Sequence, residues 1–226
     1  MPDLIIISVI LFLVSISASV LASYFNENYI HETKQGIIEV ITTKRKTTLV
    51  YFFVYLLFSI VCVFFYSKKN LTVVELLQAS IIWDLVLAIA IVDRKTKKIP
   101  NTAILFALVV RIVFITIKAF FSPTDFKFVV FQSVLGMFVG GFIILACLLI
   151  SRGGVGAGDF KLFAILGLYY GLSGIIQIMM YSLFFAAIYS VVMLISRKAK
   201  LKSTMAMAPF ILCGLSVFLF FSAVME

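Results

Sequence analysis

Two aspartates stand where an oily chain is interrupted. Asp159 lies in a glycine-rich, charged stretch, Arg152-Gly153-Gly154-Val155-Gly156-Ala157-Gly158-Asp159-Phe160-Lys161. Asp93 opens another charged stretch, Asp93-Arg94-Lys95-Thr96-Lys97-Lys98-Ile99-Pro100-Asn101. Apolar sequence flanks both. A carboxylate at such a break is solvated, caps a helix, or moves protons. The first two suffice locally for Asp159, because glycine is common where helices end and aspartate is a good N-cap. They suit Asp93 less well, since an acid at the end of a helix opposes the helix dipole. Proton chemistry offers two possibilities. A pair of acids sharing one proton can hydrolyse a peptide, and intramembrane acids can relay protons or cations.

The elements that must carry these acids are membrane helices. The chain has 226 residues, of which 63% are hydrophobic and 13% charged, and its mean hydropathy is +1.19. Soluble domains are about 45–50% apolar and about 25% charged. The expected fold class is therefore all-α, a polytopic membrane protein forming one integral membrane domain over 1–226. At roughly 20 apolar residues per span, about eight transmembrane helices fit. They are expected at 4–23, 49–66, 71–92, 102–121, 126–151, 160–170, 175–195 and 203–224. The sixth is short, ended by a break at Gly171-Leu172-Ser173-Gly174. Residues 26–48 are polar, and part of them is expected to lie on the membrane surface. Gly136 and Gly140 have the G-x-x-x-G spacing of closely packed helices.

The net charge of +9 does not indicate nucleic acid, because the basic residues cluster in alternate loops. With the N-terminus outside, one side collects Lys34, Lys44, Arg45, Lys46, Arg94, Lys95, Lys97, Lys98, Arg152, Lys161, Arg197, Lys198, Lys200 and Lys202. The other holds Lys68, Lys69, Lys118 and Lys127. Positive residues stay in the cytoplasm. Both termini are thus expected outside, with Asp93 and Asp159 on the cytoplasmic side. Two further charges fall within spans. Asp84 and Arg111 are expected at similar depth and are expected to pair, since lone mid-membrane charges are costly. Cys62, Cys147 and Cys213 form no C-x-x-C pair, so no metal site is indicated.

Gly156-Ala157-Gly158-Asp159-Phe160-Lys161 resembles the second catalytic motif, G-x-G-D-x-K, of the type IV prepilin peptidases, which are intramembrane aspartyl proteases. Asp93, followed six residues later by Ile99-Pro100-Asn101, is similar to their first motif. Ala208-Pro209-Phe210 is similar to a Pro-Phe element near the start of their last helix. The resemblance covers roughly 80–215, the expected catalytic region. It implies Asp93 and Asp159 as the catalytic pair, with Gly156, Gly158, Lys161, Ile99, Pro100, Asn101 and Pro209 shaping the site or binding substrate. Asn101 is also expected to cap the helix that it precedes.

The activity implied is removal of a short basic leader from pilin-like precursors at the cytoplasmic face of the cell membrane. Neither metal nor cofactor is expected, and the oligomeric state is left open. Many bacterial members carry a cysteine-paired zinc domain near the N-terminus and also methylate the product. Residues 26–48 contain no cysteine, so a peptidase without N-methyltransferase activity is expected. A small proton- or ion-coupled transporter is the alternative. A relay wants acids at mid-depth, such as Asp84, whereas a protease wants a pair near one interface.

Overall fold

The computed structural model describes residues 12, 14–20, 22, 24, 45–68, 73–121, 126–150, 156–196 and 205–224. Six helices are delimited: α1 (Arg45–Lys68), α2 (Val73–Thr96), α3 (Asn101–Phe121), α4 (Phe126–Ile150), α5 (Ala157–Ile195) and α6 (Ala208–Val224). Of the expected first span, residues 14–20 are helical. The surface segment expected at 26–48 lies outside the described residues as far as residue 44. Among the described residues, four helices (α2 to α5) are long and apolar enough to cross a membrane. The apolar parts of α1 and α6, Leu49–Phe58 and Ala208–Ser222, are shorter. The protein is therefore all-helical in its described parts and built as a polytopic membrane protein.

The chain divides into two compact units, one formed by 1–96 and 219–226, the other by 97–218. In the first unit, α1 and α2 meet through large aromatic side chains. Phe58 stacks on Trp83 with ring centroids 3.7 Å apart and planes at 4°. Tyr55 approaches the same indole edge-on, at 6.5 Å. The Tyr55 hydroxyl donates to the backbone carbonyl of Asp84 over 3.4 Å. The opposite side of α1 presents Leu49, Val50, Phe53, Leu57 and Ile60, all exposed, as befits a face against lipid.

The second unit is packed by glycine. A side chain at Gly136 on α4 would run into the backbones of Gly167 and Gly171 on α5. A Cβ at Gly140 would lie 2.9 Å from the Phe163 carbonyl and 2.7 Å from the Ile175 side chain. Without side chains, helices approach until backbones touch, which gives dispersion contact that lipid cannot replace. The close packing expected of the Gly136–Gly140 spacing is thus present.

Helix α5 has 39 residues, or about 58 Å if straight, nearly twice the roughly 30 Å hydrocarbon core. It is not straight. Gly171 has φ 67° and ψ −168°, a combination open essentially to glycine alone. Gly140 faces both Phe163 and Ile175, so the arms on either side of Gly171 fold back toward each other. The expected break is therefore real, but it occupies one residue rather than four. The first arm is also longer than expected, because the helix begins at Ala157 and not at Phe160. Other boundaries move as well. Helix α2 continues to Thr96 rather than stopping at Val92, and α6 begins at Ala208 rather than at Ser203.

Candidate active site

Asp159 sits in the first turn of α5. Gly156 is the N-cap residue, with φ −79° and ψ 140°. The Asp159 amide donates to the Gly156 carbonyl at 3.0 Å, and Asp159 Oδ2 accepts from the Gly156 N–H at 3.2 Å. The carboxylate thus reaches back to one of the four amides that a helix start leaves unpaired. The expectation that Asp159 could be an N-cap is corrected by three residues: it is the third helical residue, capping from inside. That arrangement holds one carboxylate oxygen in place. The side chain is 9% exposed.

Ile99, Pro100 and Asn101 meet this turn. A Cβ on Gly158 would stand 3.0 Å from Ile99 Cβ and 3.1 Å from Ile99 Cγ1, so a side chain there would push the isoleucine aside by a few tenths of an ångström. Pro100 is buried, and its carbonyl accepts from the Ile104 amide at 3.3 Å, starting α3. Asn101 is consequently the first residue inside α3 rather than its cap, a correction that frees its side chain. Asn101 Oδ1 accepts a hydrogen bond from Lys161 Nζ at 2.8 Å. The tail of the first motif and the second motif therefore touch at two points, Ile99 on Gly158 and Asn101 on Lys161.

Asp93 lies on α2, three residues before its end, and is 4% exposed. In the next turn Thr96 Oγ1 donates to the Val92 carbonyl at 3.0 Å. Lys97 then takes φ 53°, the left-handed conformation that commonly ends helices, and four residues lead to α3. Pro209 falls in the first turn of α6. Both Phe210 and Ile211 send their amides to the Met207 carbonyl, at 3.0 and 3.1 Å, so the proline nitrogen is where no helical donor is needed.

Asp84 belongs to the first unit and Arg111 to the second, and each is described here with the partners of its own unit. Both carboxylate oxygens of Asp84 are buried and have no hydrogen-bond partner among the described residues. Arg111 donates to Ser133 Oγ at 2.7 Å, and its guanidinium lies 5.4 Å from the centre of the Tyr169 ring. The Tyr169 hydroxyl donates in turn to the Ala107 carbonyl at 2.8 Å. Sequence reading missed Ser133 and Tyr169. Their signal was a hydroxyl in the middle of an apolar span. Among the described residues, no group of three or more His, Cys, Asp or Glu side chains gathers to hold a metal.

Residues 79–191 match the family model of the type IV leader peptidase family. The chain is also 29% identical, over 141 residues, to a prepilin leader peptidase/N-methyltransferase of Bacillus subtilis (strain 168). That alignment takes in 62% of this chain and 54% of the relative, so the chain spans about half the length of the curated relative it matches. No solved structure matches.

Proposed function

From the membership of this chain in the type IV leader peptidase family, we propose that it is an aspartic endopeptidase that removes a short basic leader from pilin-like precursors. Asp93 and Asp159 are its two acids. The observation that carries this reading is the contact of Ile99 and Asn101 with Gly158 and Lys161. It joins the tail of the motif that Asp93 begins to the turn that holds Asp159.

The chemistry needs only water and two carboxyl groups that share a proton. Like charges held close cannot both ionise easily, so one acid stays protonated. The ionised acid takes a proton from water as the oxygen adds to the scissile carbonyl carbon. The protonated acid gives its proton to the carbonyl oxygen. Collapse of the tetrahedral intermediate breaks the C–N bond, and a proton passes to the departing amine. The Gly156 N–H on Asp159 Oδ2 fixes the orientation of one carboxylate through these steps. The distribution of basic residues supports a site on the cytoplasmic side of the cell membrane, where a leader preceding a membrane helix is accessible. The integral membrane domain over 1–226, with the catalytic region at 80–215, is part of the same proposal. So is the peptidase-only activity; methylation belongs to the relative's name.

The test is co-expression with a tagged pilin-like precursor, scoring leader removal by gel. The native chain cleaves, while Asp93→Asn and Asp159→Asn insert normally and do not. Normal cleavage by either variant removes that residue from the mechanism and brings the transport reading and Asp84 forward.

A further inference from the structure

The reading of Asp159 as a reacting acid leaves open what aims it. The two residues that touch the start of α3 bracket it in sequence: Gly158 precedes it by one and Lys161 follows it by two. On an α-helix, positions three apart lie on the same face, and the residue after the first is turned by about 100°. The face of α5 presented to Ile99 and Asn101 is therefore the Gly158/Lys161 face, and Asp159 projects away from it. Fixing that face fixes the direction of the carboxyl group without contact to it.

We propose that Lys161 is a positioning residue: acting through Asn101, it locks the first turn of α5 against the start of α3 and so sets where Asp159 points. Two features of the contact suit this role. The donor is an ammonium group and the acceptor a side-chain carbonyl, 2.8 Å apart, the short distance of a charge-assisted hydrogen bond. The second contact, Ile99 on Gly158, is apolar and rigid. One point of contact would leave the turn free to roll about it, and the second removes that rotation. Lys161 and Asn101 are both exposed, so their bond adds little to stability. Its effect lies in the alignment of the first turn.

This inference rests on the peptidase reading, and the test separates the two. The full chain is purified and assayed for cleavage of a tagged pilin-like precursor with a short basic leader. Lys161→Met and Asn101→Leu each lower kcat about tenfold with KM changed by less than about twofold, and neither shifts the unfolding temperature appreciably. The double variant is no slower than either single one, as expected when both remove one interaction. Lys161→Arg and Asn101→Asp recover most of the rate, because each keeps a charged hydrogen bond. Native kcat in the single variants, additive losses, losses that follow stability, or no recovery with arginine would overturn the proposal. Asp159→Asn is the control. If it cleaves, the peptidase reading of Asp159 falls; if it is inactive while Lys161→Met cleaves at the native rate, only the positioning role falls.

Discussion

The two compact units solve the same packing problem in opposite ways. In the first, α1 and α2 are held apart by rings, with Trp83 between Phe58 and Tyr55. In the second, α4 and the folded α5 are drawn together by glycines until their backbones touch. Rings fill space and can be exchanged for other rings. A glycine contact has no slack, because what it meets is backbone. The motif turn is intermediate between these two ways of packing, with Gly158 set against the side chain of Ile99 rather than against backbone. A region packed by glycine holds its geometry closely, and Asp159 lies within it.

The contrast is broken most severely by adding one carbon to α4. Gly136→Ala puts a methyl group into the backbones of Gly167 and Gly171. We expect a cost above about 3 kcal/mol and little folded protein on size exclusion in detergent. Trp83→Phe removes far more volume, yet it is expected to cost only about 1–2 kcal/mol. Equal losses in the two variants would erase the distinction. Next comes Gly171→Ala, which forces a side chain into the φ 67°, ψ −168° conformation. The strain is on the order of 1–3 kcal/mol, read as a lowered unfolding temperature.

Smaller effects sharpen the comparison through the buried charges. Arg111 in the second unit is held by Ser133 and the Tyr169 ring, whereas the Asp84 carboxyl in the first has no hydrogen-bond partner among the described residues. Tyr169→Phe keeps the ring over Arg111 and loses only the bond to the Ala107 carbonyl, so it should cost about 1 kcal/mol. Asp84→Leu is expected to have the opposite sign. It removes a buried carboxyl with no hydrogen-bond partner among the described residues, and should stabilise the protein by about 1 kcal/mol or less with cleavage retained. Loss of cleavage in Asp84→Leu would give this acid a function that its surroundings do not show.

Much of this was legible in the sequence because membrane spans are written in apolar run length. The break in α5 was legible as well, since a paired glycine signal interrupts a run too long for one crossing. Its extent was not: among the described glycines, Gly171 alone takes a positive φ. The start of α5 was hidden for a related reason. Gly156 and Gly158 read as helix breakers, yet Gly158 stands within the first turn, where it is packed closely against Ile99. Asn101 read as a cap because a polar residue after proline usually is one. Its partner, Lys161, is 60 residues away and carries no local signal. The partners of Arg111 within its own unit were hidden too. A serine hydroxyl and a tyrosine face supplied a partner that hydropathy does not register.

The central claim is that Asp93 and Asp159 work on one water molecule, so the most direct measurement is whether they meet. Cysteines at 93 and 159, in a chain with Cys62, Cys147 and Cys213 replaced by serine, are treated in native membranes with a short bifunctional thiol reagent. Asn101→Cys with Lys161→Cys serves as the control, since those side chains are in contact. Efficient bridging of 93 to 159, comparable with the control, is the predicted result. Bridging of the control pair alone would contradict the account.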